Sequence, residues 1–225
     1  MLRFDVITLF PEMFRAIKEE GVIARGIKKS LLSINTWQLR EFSGNKYRNI
    51  DDAPYGGGAG MVMQVKPIRD CIKKIKQKNP NTSVIYLSPQ GEKLNHKLAL
   101  ELSQLESLTL LCGRYEGVDE RVIEHDVDKE ISIGDYVISG GELGAMVLID
   151  AVSRQLSGVL GNQDSLCDSF ANGLLDYPHY TRPETIDGQS VPEVLLSGHQ
   201  AKIDAWRTEQ ANKNTQKKRA DLLKK

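Results

Sequence analysis

Thr109-Leu110-Leu111-Cys112-Gly113-Arg114-Tyr115-Glu116-Gly117 is a short run of strand formers that stops at a glycine and turns into a polar loop. The same design occurs twice more. Ser83-Val84-Ile85-Tyr86-Leu87 runs into Ser88-Pro89-Gln90-Gly91, and residues 128–133 run into Gly134-Asp135-Tyr136-Val137-Ile138-Ser139-Gly140-Gly141-Glu142. Residues 4–9 and 33–39 have the same β-branched, apolar texture. Between these runs lie helix-like segments at residues 12–17, 67–77, 95–103, 119–125 and 142–156, with Pro67 suited to a first turn. Strands alternating with helices predict an α/β fold built on a parallel sheet. Ligands on such sheets sit beyond the carboxyl ends of the strands. The loops after Leu87, Cys112 and Ile133 are therefore the expected walls of one binding site.

The texture changes near Ser157. Residues 158–176 read as a flexible linker, and residues 177–225 as a small helical, basic domain behind a cofactor-binding domain of residues 1–157. The 225 residues carry 30 cations and 30 anions, so a uniformly basic nucleic-acid binder is excluded. The charge is nevertheless segregated. Residues 66–78 hold six cations and one anion, residues 201–225 eight cations and three anions, and residues 112–144 three cations and nine anions. Two basic segments suffice to hold a polyanion, because association responds to local potential. No apolar stretch approaches the ~18 residues of a membrane span, and no secretory leader is expected. Three scattered cysteines, Cys71, Cys112 and Cys167, argue against a disulfide framework and for a reducing, cytoplasmic setting. No His pair has metal-ligand spacing, so no dedicated metal site is expected.

Four glycines crowd Gly56-Gly57-Gly58-Ala59-Gly60. This is neither a dinucleotide fingerprint, since the third glycine is missing, nor a phosphate loop, since no Gly-Lys-Ser/Thr occurs. A Rossmann-type methyltransferase or dehydrogenase would need glycines after the first strand, where Phe10-Pro11-Glu12 stands instead. A non-catalytic RNA-binding protein would account for the basic tail but not for three glycine loops at strand ends. Backbone groups in those loops suit the edge of an adenine. The acids Glu116, Asp119 and Glu142 suit a cation, and S-adenosylmethionine combines both features.

Leu87-Ser88-Pro89-Gln90-Gly91, Gly113-Arg114-Tyr115-Glu116-Gly117-Val118-Asp119 and Ile133-Gly134-Asp135-Tyr136 through Gly141-Glu142-Leu143 resemble the bacterial tRNA (guanine-N1)-methyltransferase family, TrmD. So do Asp168-Ser169-Phe170, Gly173-Leu174-Leu175-Asp176, Pro178-His179-Tyr180-Thr181-Arg182-Pro183 and Leu196-Ser197-Gly198-His199. The resemblance runs nearly end to end. It implies a SPOUT-type α/β domain with a trefoil knot, a homodimer with the active site at the subunit interface, and S-adenosylmethionine as methyl donor. It also implies tRNA as substrate, methylated at N1 of the guanine just 3′ of the anticodon. Another SPOUT-type RNA methyltransferase is the nearest alternative.

Carried over by position, cofactor contacts fall on Pro89, Gln90, Gly91, Gly113, Tyr115, Glu116, Ile133, Gly134, Asp135, Tyr136, Val137, Ile138, Gly140 and Gly141. The general base falls on Asp168 and the arginine facing guanine O6 on Arg154. Asp176, His179, Tyr180 and Arg182 are expected on the tRNA side, and Lys213, Lys217, Lys218 and Arg219 against its phosphates. Magnesium dependence is expected to act through tRNA or through carboxylates near the site, without a cage. Gly144, Ala59 and Ala220 stand where the family usually has proline, Tyr177 where cysteine is common and Tyr47 where histidine is common. Gly144→Pro is expected to stabilise the fold.

Overall fold

In the first strand, β1 (Leu2–Thr8), Phe4 and Val6 enter one apolar cluster and Ile7 another. The two-residue period of a pleated strand sends successive side chains to opposite faces. The same parting recurs in β5 (Ser83–Lys93), where Ile85 and Leu87 face one cluster and Val84 and Tyr86 the other. It recurs again in β6 (Ser107–Cys112), with Leu108, Leu110 and Cys112 opposite Leu111. A sheet that is apolar on both faces must be covered on both. The computed structural model, which describes residues 1–161 and 168–223, covers both.

One face receives α2 (Gly21–Lys28), α4 (His96–Ser103) and α6 (Gly141–Ser153) through Ile23, Leu98, Leu102, Ala145, Leu148, Ile149 and Val152. The other receives α3 (Val65–Lys78) and α5 (Glu120–Asp126) through Ile68, Ile72, Ile75 and Val122. With β2 (Leu32–Gln38) and β7 (Lys129–Ser132), the sheet has the order β2-β1-β6-β5-β7, and every neighbouring pair is parallel. The mixed α/β fold with a parallel sheet is the one expected. A short helix, α1 (Arg15–Glu19), follows β1.

Two details depart from the sequence reading. The sequence reading places no helix between residues 17 and 33, where α2 forms. Gly26 is there for packing, since a Cβ on it would lie 2.8 Å from Leu32 Cδ2. The segment after Leu87 is not a loop that ends a strand. β5 runs on to Lys93, and both Leu87 and Glu92 sit opposite Ile131 across a bulge that absorbs Ser88–Gly91. Gly91 permits this crossing, because a Cβ there would come within 2.4 Å of the Glu130 carbonyl carbon and the Ile131 nitrogen. The glycine cluster forms an exposed turn between two paired strands, β3 (Asp51–Asp52) and β4 (Val62–Met63).

Gly144 is the fourth residue of α6, the first position whose N–H has an acceptor within the helix. Proline there would forfeit that bond, so the expected gain from Gly144→Pro does not follow from this geometry. Alanine is the better substitution, because its Cβ would rest 3.5 Å from Leu87 Cδ1 in ordinary contact. Gly144→Ala is expected to stabilise the protein by about 0.5–1 kcal/mol, the helical penalty of glycine. A melting curve that falls instead of rising would show that Leu87 cannot accommodate the methyl.

The chain divides into two units, Met1–Gly161 and Asn162–Lys225. The first extends four residues past the domain edge read at Ser157, because Val159, 2 % exposed, is part of its core. Cys167 and part of the expected linker lie outside the described residues. In the second unit, residues 177–191 contain no helix. They include a small antiparallel pair, β8 (Thr185–Ile186) with β9 (Gln189–Ser190). Helix begins only at α7 (Glu193–Leu196) and continues in α8 (Gln200–Lys218). Leu175 N–H donates to Thr215 Oγ1 (2.8 Å) and Asn214 to the Asp176 carbonyl (2.9 Å), which ties the turn of residues 168–176 to α8.

Candidate active site

The bulge within β5 and the loops that end β6 and β7 converge on one cleft of about 250 Å³ in the first unit. Of the positions read as cofactor contacts, Pro89, Gly113, Tyr115, Glu116, Ile133, Gly134, Tyr136, Val137, Ile138, Gly140 and Gly141 line it. Gln90, Gly91 and Asp135 do not. Gly91 packs on β7 as described, and Asp135 forms an ion pair with Lys93 outside the cleft. Tyr86, Leu87, Ser88, Arg114, Ser139 and Gly144 line it as well. Tyr86 is signalled only by its place at the end of a strand, and Arg114 only as the one cation inside a glycine loop.

The glycines are dictated by close approach. Gly141 sits where its Cβ would be 2.7 Å from Cys112 Cα, so the first turn of α6 lies on the end of β6, and its N–H donates to Gly113 O (2.9 Å). Gly134 has φ +150° with the Tyr136 ring above it. Tyr115 holds φ 59°, an uncommon conformation for a bulky residue, with its side chain half exposed at the cleft. Strain of this kind is retained where surrounding structure enforces it, and here it falls on a residue that lines the cleft. The paired strands β3 and β4 back this loop: Glu116 N–H donates to Met61 O (3.0 Å) and Met63 N–H to Gly117 O (2.9 Å).

The acidity of the region resolves into three different situations. Glu142 is fully buried beneath the cleft, bonded to Thr8 and Arg114. Asp119 caps α5, and its hydrogen-bonded Arg121 holds its carboxyl below the usual range. Of the three acids, Glu116 alone lines the cleft. The cation preference read from the sequence therefore rests on one carboxylate plus carbonyl groups. Cys112 lies under the floor with its thiol pushed well up by burial, which makes it an inert packing group.

Arg154 is not brought to this cleft. It is the C-cap of α6, while the cleft receives the helix's opposite end, about 20 Å away at 1.5 Å per residue. Asp168 belongs to the second unit, exposed at the start of a turn in which Ala171 N–H donates to its carbonyl (3.2 Å). Asp176 is anchored: its carboxylate accepts from Tyr177 N–H (2.8 Å) and meets His179 Nε2 (2.9 Å). The His179 ring packs at a tilt against Tyr177, as Tyr180 does against Trp206, and the Arg207 guanidinium lies over Tyr177. Arg182 is exposed. In the tail, Lys217 and Lys218 are exposed, Lys213 pairs with Glu209, and Arg219 is held by Asp221. Among the described residues, no group of three or more His, Cys, Asp or Glu is placed to hold a metal ion, and no helix is long and apolar enough to cross a membrane.

Comparison with known proteins agrees along the whole chain. Proteins named tRNA (guanine-N(1)-)-methyltransferase are 54 % identical in Ralstonia nicotianae, over 99 % of this chain and 86 % of that protein, and 57 % identical in Vibrio vulnificus, over 97 % and 88 %. One from Nitrosomonas europaea is 55 % identical over 98 % of this chain and 84 % of its own length. The profile described as tRNA (Guanine-1)-methyltransferase TrmD matches residues 2–225, and the chain belongs to that family.

Proposed function

We propose that this protein transfers the methyl group of S-adenosylmethionine to N1 of the guanine just 3′ of the anticodon in tRNA, acting as a homodimer in the cytoplasm. The observation that supports the cofactor assignment is the convergence of the loops after β6 and β7 and the Ser88–Pro89 bulge of β5 on one cleft lined by glycine backbone and a single carboxylate. That lining offers backbone donors and acceptors for an adenine edge, with Glu116 and carbonyls for a positively charged methionyl portion. S-adenosylmethionine supplies an electrophilic methyl on sulfur. The protein must hold it in line with N1 and remove the N1 proton.

Asp168 is assigned the proton, and Arg154 the charge that grows on guanine O6. Within one chain Arg154 sits at the far end of α6 from the cleft. That separation supports a site completed by a second copy of the chain. Asp176, His179, Tyr180 and Arg182 are assigned to tRNA contact. A trefoil knot in the first unit accords with two backbone-on-backbone crossings, Gly91 over Glu130 and Ile131, and Gly141 over Cys112. Buried thiols at Cys71 and Cys112 accord with a reducing compartment. The cleft offers a single carboxylate, Glu116, so magnesium is assigned to the tRNA.

The direct test is incubation with S-adenosylmethionine and unmodified tRNA, followed by primer extension. Methylation at N1 blocks Watson–Crick pairing, so reverse transcription should stop at one nucleotide beside the anticodon. Full-length extension would refute the assignment, and a stop elsewhere would move the target. The tail is tested separately. Lys217→Glu with Lys218→Glu is expected to weaken tRNA binding and to flatten its log–log salt dependence by just under about one unit per lost phosphate contact. Cofactor affinity should not change. An unchanged slope would make these lysines a solvated face only.

A further inference from the structure

We infer that Arg114 is a positioning residue: its guanidinium clamps the Ser139–Gly140 segment to the buried Glu142 and so sets one wall of the cofactor cleft. This rests on the methyltransferase reading above. The Arg114 Nε donates to Glu142 Oε2 (3.0 Å), and Nη1 donates to the Ser139 carbonyl (3.0 Å). The guanidinium lies over the Phe10 ring, 4.5 Å from its centroid. Glu142 is in turn fixed by the Thr8 hydroxyl (2.8 Å), which itself accepts from Phe10 N–H (2.9 Å). One side chain thus joins the loop after β6, the loop after β7, the first turn of α6 and the end of β1.

Gly140 belongs to the same device. Its φ of 171° is extended backbone open to any residue. A Cβ there would nevertheless fall 2.2 Å from Arg114 Nε, 2.5 Å from Cδ and 2.7 Å from Cζ. Gly140 is therefore glycine because Arg114 crosses it. A guanidinium is suited to the task, because its planar fork reaches the carboxylate and the carbonyl at once, where an ammonium offers a single point.

The test is a double-mutant cycle read as ligand affinity. Titration calorimetry with S-adenosylmethionine and with S-adenosylhomocysteine is run on the full chain, on Gly140→Ala, on Arg114→Ala and on the double variant. Gly140→Ala is expected to weaken both ligands by about tenfold when Arg114 is present, and by less than about twofold when it is truncated, the non-additivity of residues in contact. Equal effects of Gly140→Ala in the two backgrounds would overturn the clamp. So would a loss confined to the sulfonium ligand, since that is the mark of a direct charge effect. If Arg114→Ala melts below the assay temperature, the same cycle is run in a Glu142→Gln background, where no buried carboxylate is stranded. Failure of the unmodified protein to bind either ligand would refute the S-adenosylmethionine reading of the cleft itself, which the clamp's own failure would leave standing.

Discussion

Asp168→Asn is expected to lower single-turnover methyl transfer by about 10² or more while leaving S-adenosylmethionine affinity nearly unchanged, the signature of a lost general base. The expectation comes from contrasting the two carboxylates of the second unit. Asp176 is engaged on both oxygens, by Tyr177 N–H and by His179, its own N–H donates to Ser169 Oγ (3.0 Å), and its carbonyl is held by Asn214. An acid satisfied in this way is a structural pin. Asp168 is exposed at the turn's beginning, where an arriving guanine can reach its carboxylate. Asp176→Asn should therefore cost less in the chemical step and more in tRNA affinity. Near-normal transfer by Asp168→Asn, with a slow Asp176→Asn, would reverse the two roles. Mixed dimers extend the test. A chain carrying Asp168→Asn paired with one carrying a damaged cofactor loop should regain part of the activity, and no recovery would argue against a shared site.

Glu142→Ala is expected to destabilise the protein by about 3 kcal/mol, the cost of removing one member of a buried ion pair. For a chain of this size that lowers the melting temperature by about 10 °C. The Glu142 side chain is 1 % exposed and Arg114 20 %, so the pair is screened little by solvent. Truncation leaves the Thr8 hydroxyl without its acceptor and the guanidinium facing an apolar hollow. Glu142→Gln keeps the shape and an acceptor for Thr8, and should cost clearly less. A melting temperature for Glu142→Ala within 2–3 °C of the unmodified protein, about 1 kcal/mol, would mean that water replaces the carboxylate without loss. Arg114 would then lack the anchor that the clamp requires.

The five sheet strands, their parallel pairing and the strand-end location of the cleft were legible in the linear chain. Apolar runs such as Val84–Leu87 and Leu108–Cys112 are readable because both sheet faces are buried, and a doubly covered strand has no polar side to blur its signal. The glycine loops were legible because close backbone approach leaves glycine as the one residue that fits, as at Gly91 and Gly141. The family itself was legible from ordered motifs spread along the chain, among them Gly113-Arg114-Tyr115-Glu116-Gly117 and Pro178-His179-Tyr180-Thr181-Arg182.

Other matters depended on contacts between residues far apart in sequence. The partner of Glu142 across the fold is Thr8, 134 positions away, and no local pattern announces that distance. Composition presented Glu116, Asp119 and Glu142 as one acidic field, but folding buries one against Arg114, spends one on capping α5, and leaves one at the cleft. β5 does not stop at Leu87, because Gly91 lets it cross the backbone of β7. The sequence by itself determined the strands, the loops and the family, since these follow from local chemistry and spacing. Only the tertiary structure decided which charges are neutralised, which glycines make room for a guanidinium and which for a backbone, and that Arg154 lies at the far end of α6 from the cleft. Each of those depends on which atoms meet after the chain has closed on itself.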